Sequence, residues 1–386
     1  MISEFKIDFI VCKHNRKLGV FDEAHNIEQI IMQFTELKIN YNILEKQIGH
    51  KLSDKIKKSI GYTIWTTELN KILPKYKKAI QTLHDEISME KKPEKKLELT
   101  KRKKSFKNSI MKMERIIHEL EHNHKNWIIK HDKNEYNELY NVIFKPIYVK
   151  DFVKQDLFSE TKHNLLMSAT ILDYELVANW LGLDSDEVYF IKHKSPFKKE
   201  NRPIFLDFAG KMTFKHKYES LPLALPILKQ IFEKHKDQKG LIHTNSYEFT
   251  EFITTNFNYR TVSHDNGNRE EVLSKFEDSD YPLILVSPSM TEGINLPYDK
   301  CEFQVILKIP FPNLADPQVR TRMKREPKWY DYKTILTIVQ AYGRGMRNKD
   351  DHCTTYVLDE SFNDVIRKDN KNSFFSEFFK EAIINQ

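Results

Sequence analysis

An apolar run, Leu18-Gly19-Val20-Phe21, breaks abruptly into Asp22-Glu23-Ala24-His25-Asn26, and no other stretch constrains the fold as much. It predicts a buried strand whose carboxyl end carries two adjacent carboxylates. In a parallel α/β sheet, ligands bind in the crevice beyond the carboxyl ends of the strands, so Asp22 and Glu23 are expected where a phosphate-bound metal sits. Asp22 suits magnesium, a hard cation that takes one or two carboxylates together with its own waters and the substrate's phosphates. Glu23 is placed to polarise a water that attacks a terminal phosphate. His25 and Asn26 would then report the nucleotide state to the rest of the chain. An acidic turn that merely closes a strand has the same residues, and what decides between the two is the company further along.

After Asn26, Ile27, Ile30, Ile31 and Phe34 recur at helical spacing, so a helix leads away from the acidic strand end. From about Leu37 to Tyr140 the sequence becomes Lys-rich and nearly free of glycine, with apolar residues three and four apart. That pattern predicts an all-helical insertion over 37–150. Its middle, Lys91-Lys92-Pro93-Glu94-Lys95-Lys96 and Lys101-Arg102-Lys103-Lys104, suits the tip of a helical hairpin, either as a solvated face or as a nucleic-acid contact. His118, His122 and His124 lie on a charged helix without the carboxylate pattern a metal site needs. Asn164-Leu165-Leu166-Met167-Ser168-Ala169-Thr170 is again an apolar run ending in small hydroxyls. It returns the chain to the sheet that holds Asp22, with Ser168 and Thr170 able to bond the His25 region. A helix over 172–181 and a proline-punctuated linker, Ser195 to Pro203, follow.

A second α/β unit is predicted from strands at Ile204–Phe208, Gly240–His243, Leu283–Ser287 and Val305–Ile309, alternating with helical stretches such as 220–235. Such alternation points to a mostly parallel sheet covered by helices on both faces. Thr244, Asn245 and Ser246 close one strand with hydroxyl and amide groups, the kind that bond phosphate oxygens without reading bases. In Ile335 to Arg347, helical spacing puts Gln340 and Gly343 on one surface with Arg344 and Arg347. Gly343 lets a ligand approach, and an arginine fork suits the charge on a transferring phosphoryl group. A basic helix face paired with surface carboxylates is the alternative.

Composition bounds the class. With 386 residues, 40% hydrophobic and 30% charged, the chain is long enough for two or three domains. No run approaches a membrane span and no export leader is visible, so a cytoplasmic location is expected, or a nuclear one in a eukaryote. Cys12, Cys301 and Cys353 stand far apart, against a disulfide framework or a zinc site. A net charge of +7 is compatible with a polyanionic partner.

Taken together, Asp22-Glu23-Ala24-His25, Ser168-Ala169-Thr170, His243-Thr244-Asn245-Ser246-Tyr247, Thr291-Glu292-Gly293-Ile294-Asn295 and Gln340-Ala341-Tyr342-Gly343-Arg344-Gly345-Met346-Arg347 resemble superfamily 2 helicase motifs II to VI, in order and rough spacing. The finer resemblance is to the XPD/DinG family. Val20-Phe21-Asp22-Glu23-Ala24-His25-Asn26, Ser195-Pro196-Phe197 with Glu200-Asn201-Arg202, and Phe311-Pro312-Asn313-Leu314 with Asp316-Pro317 look like that family's signatures. Asp350-Asp351 is similar too, and the insertion falls where the family carries its Arch domain.

The resemblance implies an ATP-driven translocase that unwinds DNA with 5'-to-3' polarity. It would have two RecA-like motor domains, the first incomplete (1–36 and 151–195) and the second at 196–386, with the Arch-like insertion at 37–150. ATP would lie between the motors, and single-stranded DNA or a forked duplex would be the partner. Asp22 would ligate magnesium and Glu23 activate water, with Gln340, Arg344 and Arg347 reaching the γ-phosphate and Glu292, Gly293 and Gly343 beside the nucleotide. His25, Ser168 and Thr170 would couple nucleotide to DNA, whose backbone Thr244, Asn245 and Ser246 would hold. The chain departs from the family in two ways: it contains no G-x-x-x-x-G-K-[ST] phosphate loop, and it lacks the four cysteines of the family's iron-sulfur cluster. It is therefore expected to be a fragment, inactive alone, whose missing part another chain could supply. A non-catalytic nucleic-acid-binding or partner-binding protein is the other expectation.

Overall fold

The computed structural model describes residues 16–265, 267–289, 296 and 298–384. Cys12 and the stretch Thr291 to Asn295, with Glu292 and Gly293, lie outside the described residues. The chain starts with β1 (Arg16–Phe21), turns through Asp22 and Glu23, and enters α1 (Ile27–Thr35), whose buried Ile27 and Ile31 form the predicted apolar face.

It continues through β2 (Leu37–Asn40), α2 (Tyr41–Ile48), α3 (Asp54–Lys57), α4 (Tyr62–Met89), α5 (Pro93–His122), β3 (Trp127–Lys133) and β4 (Leu139–Pro146). The expectation of an all-helical insertion is corrected here, because β2, β4 and β3 form a three-stranded antiparallel sheet. Leu37 and Ile39 face inward with Lys38 exposed between them, a four-residue alternation easily lost beside long helices. Val142-Ile143-Phe144 is buried throughout, and a short apolar run like this has no period that separates strand from helix. The hairpin itself is as expected: α4 and α5 span 28 and 30 residues and close on each other through contacts such as Tyr76 edge-on to Phe106. Lys91, Lys92, Lys95 and Lys96 are exposed near its tip. His118 and His122 stack on each other at 4.4 Å, and among the described residues no group of three or more His, Cys, Asp or Glu could hold a metal.

After α6 (Lys150–Val153), β5 (Thr161–Leu166) pairs in parallel with β1, Phe21 opposite Leu166, and α7 (Tyr174–Trp180) follows. The Asp22 strand exists, but the expectation that it is buried is corrected on one face. Leu18 and Val20 are each 55% exposed and Leu165 is 47% exposed, because the described residues cover this two-stranded sheet on one side only.

The remaining elements are β6 (Ile204–Gly210), α8 (Lys217–Lys234), β7 (Gly240–His243), α9 (Tyr247–Asn256), β8 (Thr261–Ser263), α10 (Arg269–Asp278), β9 (Ile284–Ser287), β10 (Phe303–Ile306), α11 (Pro317–Arg325), α12 (Pro327–Tyr342), β11 (Thr354–Asp359), α13 (Phe362–Asn372) and α14 (Glu377–Lys380). Their strands form a parallel sheet in the order β6-β11-β10-β7-β9-β8. β7, β9 and β10 are buried on both sides, as parallel strands under two helical layers must be. Successive residues pack into opposite layers: Ile306 and Val357 with Ile335, Ile338 and Phe362, but Val305 and Tyr356 with Leu228, Phe232 and Phe249.

Two ionic fasteners hold these parts together. Asp316 caps α11 by accepting from Gln318 N at 2.8 Å, and its other oxygen pairs with Lys130 of β3 at 3.2 Å and Lys145 of β4 at 3.4 Å. Arg202, fully buried, donates to Phe378 O at 2.5 Å and to the Tyr342 hydroxyl at 3.1 Å, and pairs with Glu381. Among the described residues no helix is long and apolar enough to cross a membrane.

Candidate functional site

β1 ends by turning its backbone out of the sheet. Glu23 adopts a left-handed φ of 50°, and its N–H donates to Asp22 Oδ1 at 2.9 Å. A non-glycine residue held there is strained, and such strain concentrates at functional turns. The turn is pinned by the neighbouring strand, since Met167 N donates to Phe21 O and Ala24 N donates to Met167 O, both at 2.8 Å. The Asp-Glu pair is thereby left exposed while Ala24 and His25 are drawn under the edge of the sheet.

His25 is the junction. Its Nδ1 lies 2.8 Å from Ser168 Oγ and 3.3 Å from a Glu23 carboxylate oxygen, while its Nε2 lies 2.5 Å from Gln340 Nε2 at the end of α12. An amide nitrogen facing the ring can only donate, so Nε2 accepts and the ring proton sits on Nδ1, directed at Ser168. Burial, followed by the Lys333 and Arg344 charges, lowers the His25 pKa to about 4, with Asp22 working the other way. The ring is therefore neutral at neutral pH, as this bonding requires. Ser168 Oγ also accepts from Thr170 N at 3.1 Å, while the buried Thr170 hydroxyl meets no hydrogen-bond partner among the described residues.

In the first turn of α1, Glu28 is buried against α11 and α12. Its oxygens lie 3.1 Å from Arg322 and 2.9 Å from Lys333, and Trp329 Nε1 donates to it at 3.0 Å. Burial works to raise the Glu28 pKa, but Lys333, Arg322 and the hydrogen bonds outweigh it and hold the carboxyl below its usual value. The sequence reading missed this cluster. A signal was present: Trp329, Lys333 and Gln340 fall four and seven residues apart, one stripe of α12, and Glu28 lies three residues after His25 on the matching helix.

The arginines divide. The expectation that Gln340, Gly343, Arg344 and Arg347 share a helix is corrected: α12 stops at Tyr342, a 3-10 turn carries Gly343 to Gly345, and Arg347 lies beyond it, exposed. Arg344 acts electrostatically on both His25 and the buried His243, whose pKa burial lowers to about 4. The backbone N–H groups of Arg347 and Asn348 both donate to Asp351 Oδ2 at 2.7 Å, which fixes the loop. A Cβ on Gly343 would meet nothing within 4 Å, whereas one on Gly345 would stand 2.3 Å from Cys353 Sγ. Thr244 is fully buried, its hydroxyl turned inward to Thr250 at 2.7 Å; Asn245 and Ser246 stay half-buried at the strand end.

Two exposed carboxylates at a strand end, with Asp22 and Arg344 both acting on one buried ring, fit a magnesium nucleotide, which asks for only one or two protein carboxylates. The described thiols, Cys301 and Cys353, are two buried free cysteines and do not fit a four-thiolate iron-sulfur cluster.

Comparisons with known proteins bear on the fold. Residues 228–380 match the helicase C-terminal domain family. The chain is 26% identical over 136 residues to ATP-dependent DNA helicase CHL1 of Saccharomyces cerevisiae, covering 29% of this chain and 16% of the relative. It is 31% identical over 72 residues to DNA 3'-5' translocase XPB2 of Sulfurisphaera tokodaii, 18% of this chain and 16% of that one. The matched part is thus about a sixth of these relatives' length. Among solved structures, an XPD helicase aligns over 92% of this chain and 66% of its own at TM-score 0.54 and 16% identity. S. tokodaii Xpd4 aligns over 94% and 74% at TM-score 0.53 and 18% identity. The helicase C-terminal domain family is thus matched over residues 228–380, and the fold is that of the XPD helicases over more than nine-tenths of this chain.

Proposed function

We propose that this chain is the coupling and second-motor part of an ATP-dependent DNA helicase of the XPD/DinG type. The observation that carries the reading is the contact of His25 with Gln340 at 2.5 Å, which ties the acidic strand end to the helix leading into Arg344. Magnesium bound with ATP would supply charge neutralisation at the phosphates, and Asp22 would hold it. Glu23 orients and polarises the attacking water, and Arg344 and Arg347 stabilise charge on the transferring phosphoryl group. Glu292, Gly293 and Gly343 belong to the nucleotide's surroundings. His25, Ser168 and Thr170 relay nucleotide state, and Asn245 and Ser246, with Thr244 supporting them from within, hold the backbone of single-stranded DNA. The first motor domain takes in 1–36 and 151–195, the Arch-like insertion 37–150 and the second motor domain 196–386, in a cytoplasmic or nuclear protein. Polarity of 5'-to-3' goes with the XPD/DinG resemblance, and a strand-displacement assay on forks of either polarity tests it.

Phosphoryl transfer depends on positioning, and the 386 residues contain no phosphate-gripping loop, so on this reading they do not turn over ATP alone. The same fact favours a second reading, a non-catalytic nucleic-acid-binding protein. The deciding experiment measures phosphate release with magnesium, ATP and single-stranded DNA for the chain alone and joined to a segment carrying the phosphate loop of an XPD-type helicase. The expected result is turnover only when joined, abolished by Glu23→Gln. Turnover by the chain alone, sensitive to Glu23→Gln, overturns the fragment reading; DNA binding without turnover in the joined protein favours the second.

A further inference from the structure

The carboxyl edge of the six-stranded sheet carries aromatic side chains that the fold does not use. Phe214, in the loop after β6, is 87% exposed, and Tyr218, in the first turn of α8, is 74% exposed. Between them Lys217 is buried, its ammonium 5.2 Å from the centre of the Phe214 ring and 4.7 Å from that of Tyr218. Lys217 also pairs with Glu248, the second residue of α9, directly after Thr244, Asn245 and Ser246. Lys308, just past the end of β10, lies over the Phe249 ring at 5.1 Å, close enough for the Lys217 and Glu248 charges to act on it. A single lysine thus joins two solvent-facing rings to the strand end that meets the DNA backbone in the function proposed above.

We propose that Phe214 and Tyr218 form a stacking platform for the bases of single-stranded nucleic acid bound along this edge. The inference rests on the DNA-binding reading of Thr244 to Ser246 and deepens it. Aromatic rings accept any base, because every base has a π face, and a cation held beneath them strengthens the platform without reading sequence. The occupant is a polyanion rather than an apolar protein surface because Lys215 is exposed between the two rings and Lys308 sits at the neighbouring strand end. Glu248 is paired with Lys217, while Glu219, exposed beside Tyr218, is balanced by Lys215 four residues before it. Both rings are exposed, so their removal leaves the core intact.

The test uses the full 386-residue chain and fluorescence anisotropy with two probes of equal length, a labelled oligo(dT) and its abasic counterpart. Phe214→Ala with Tyr218→Ala is expected to weaken oligo(dT) binding about 10-fold or more, to leave abasic binding unchanged, and to preserve the slope of affinity against salt. Tyr218→Phe, which keeps the ring, is expected to bind like the parent, and circular dichroism confirms that each variant folds. Equal affinity of parent and double variant for oligo(dT) overturns the platform while leaving the DNA-binding reading in place. An equal loss on both probes also overturns it, since the rings would then act through the backbone. No binding of either probe by the parent overturns the platform together with the reading beneath it.

Discussion

Lys333 Nζ stands 2.9 Å from one carboxylate oxygen of Glu28, and together they bridge the helix after the Asp-Glu turn to the helix that carries Gln340. Because Arg322 occupies the other oxygen, removing the carboxylate charge would leave two cations facing each other in a dry interface. Glu28→Gln is expected to destabilise the chain by roughly 3–5 kcal/mol, measured by urea unfolding. The sign of its pH dependence follows from a folded pKa held below 4.5. The stabilisation is complete above that value and is lost as pH falls through the folded pKa, and the variant should lack this acid limb.

His25 gives a second window. Its folded pKa of about 4 lies below the ordinary 6.5, so the unfolded chain takes up a proton before the folded one does. Its contribution is present above pH 6.5 and is lost as pH falls toward 4. Heteronuclear NMR of the imidazole should show a neutral ring protonated on Nδ1 at pH 6, and His25→Gln should flatten stability across this window.

Of the two glycines of the 3-10 turn, only one should resist substitution. Gly345→Ala puts a methyl 2.3 Å from Cys353 Sγ and 2.9 Å from Cys301 O, and is expected to cost about 1–3 kcal/mol as overpacking. Gly343→Ala meets open space at an ordinary backbone conformation and should fold as well as the parent. Thermal unfolding of the pair checks both.

Arg347→Ala, in a protein joined to a phosphate loop, should lower ATP turnover roughly 100-fold or more while leaving single-stranded DNA affinity nearly intact. The loop bonds to Asp351 are made by backbone N–H groups, which the substitution keeps. Equal turnover by variant and parent would remove Arg347 from the site.

The exposed face of the β1–β5 pair should make the isolated chain associate. Leu18 and Val20 lie two residues apart on one face, and among the described residues the β1–β5 pair has no further strand on either edge. Sedimentation velocity should show concentration-dependent association that Leu18→Lys with Val20→Lys reduces. A concentration-independent monomer would count against this.

Four strands of the second sheet, β6, β7, β9 and β10, were legible as compact apolar runs, whereas β8, only Thr261-Val262-Ser263, and β11, which opens on Thr354 and Thr355, carry no such signal. The contact between His25 and Ser168 followed from two strand ends expected in one sheet. What sequence spacing could not give is what depends on tertiary placement. The stop of α12 at Tyr342 is one case, for Arg344 through Arg347 would continue a helical face by count, yet Gly345 is packed on Cys353 and the backbone turns away. The strands of the insertion are another, since Leu37-Lys38-Ile39-Asn40 is too short for its alternation to stand out. Burial of the Glu28 cluster depends on helices more than 290 positions apart, which no local pattern encodes.

Asp316 anchors β3 and β4, the strands that follow the α4–α5 hairpin, to the amino end of α11, so the insertion is seated on a helix of the second α/β unit. At 28 residues, α4 is about 42 Å long. A rotation of only about 10° at that seat would carry the lysine-rich tip through about 7 Å, roughly the rise of two stacked base pairs. A small change of angle at that seat would in this way be magnified at the tip.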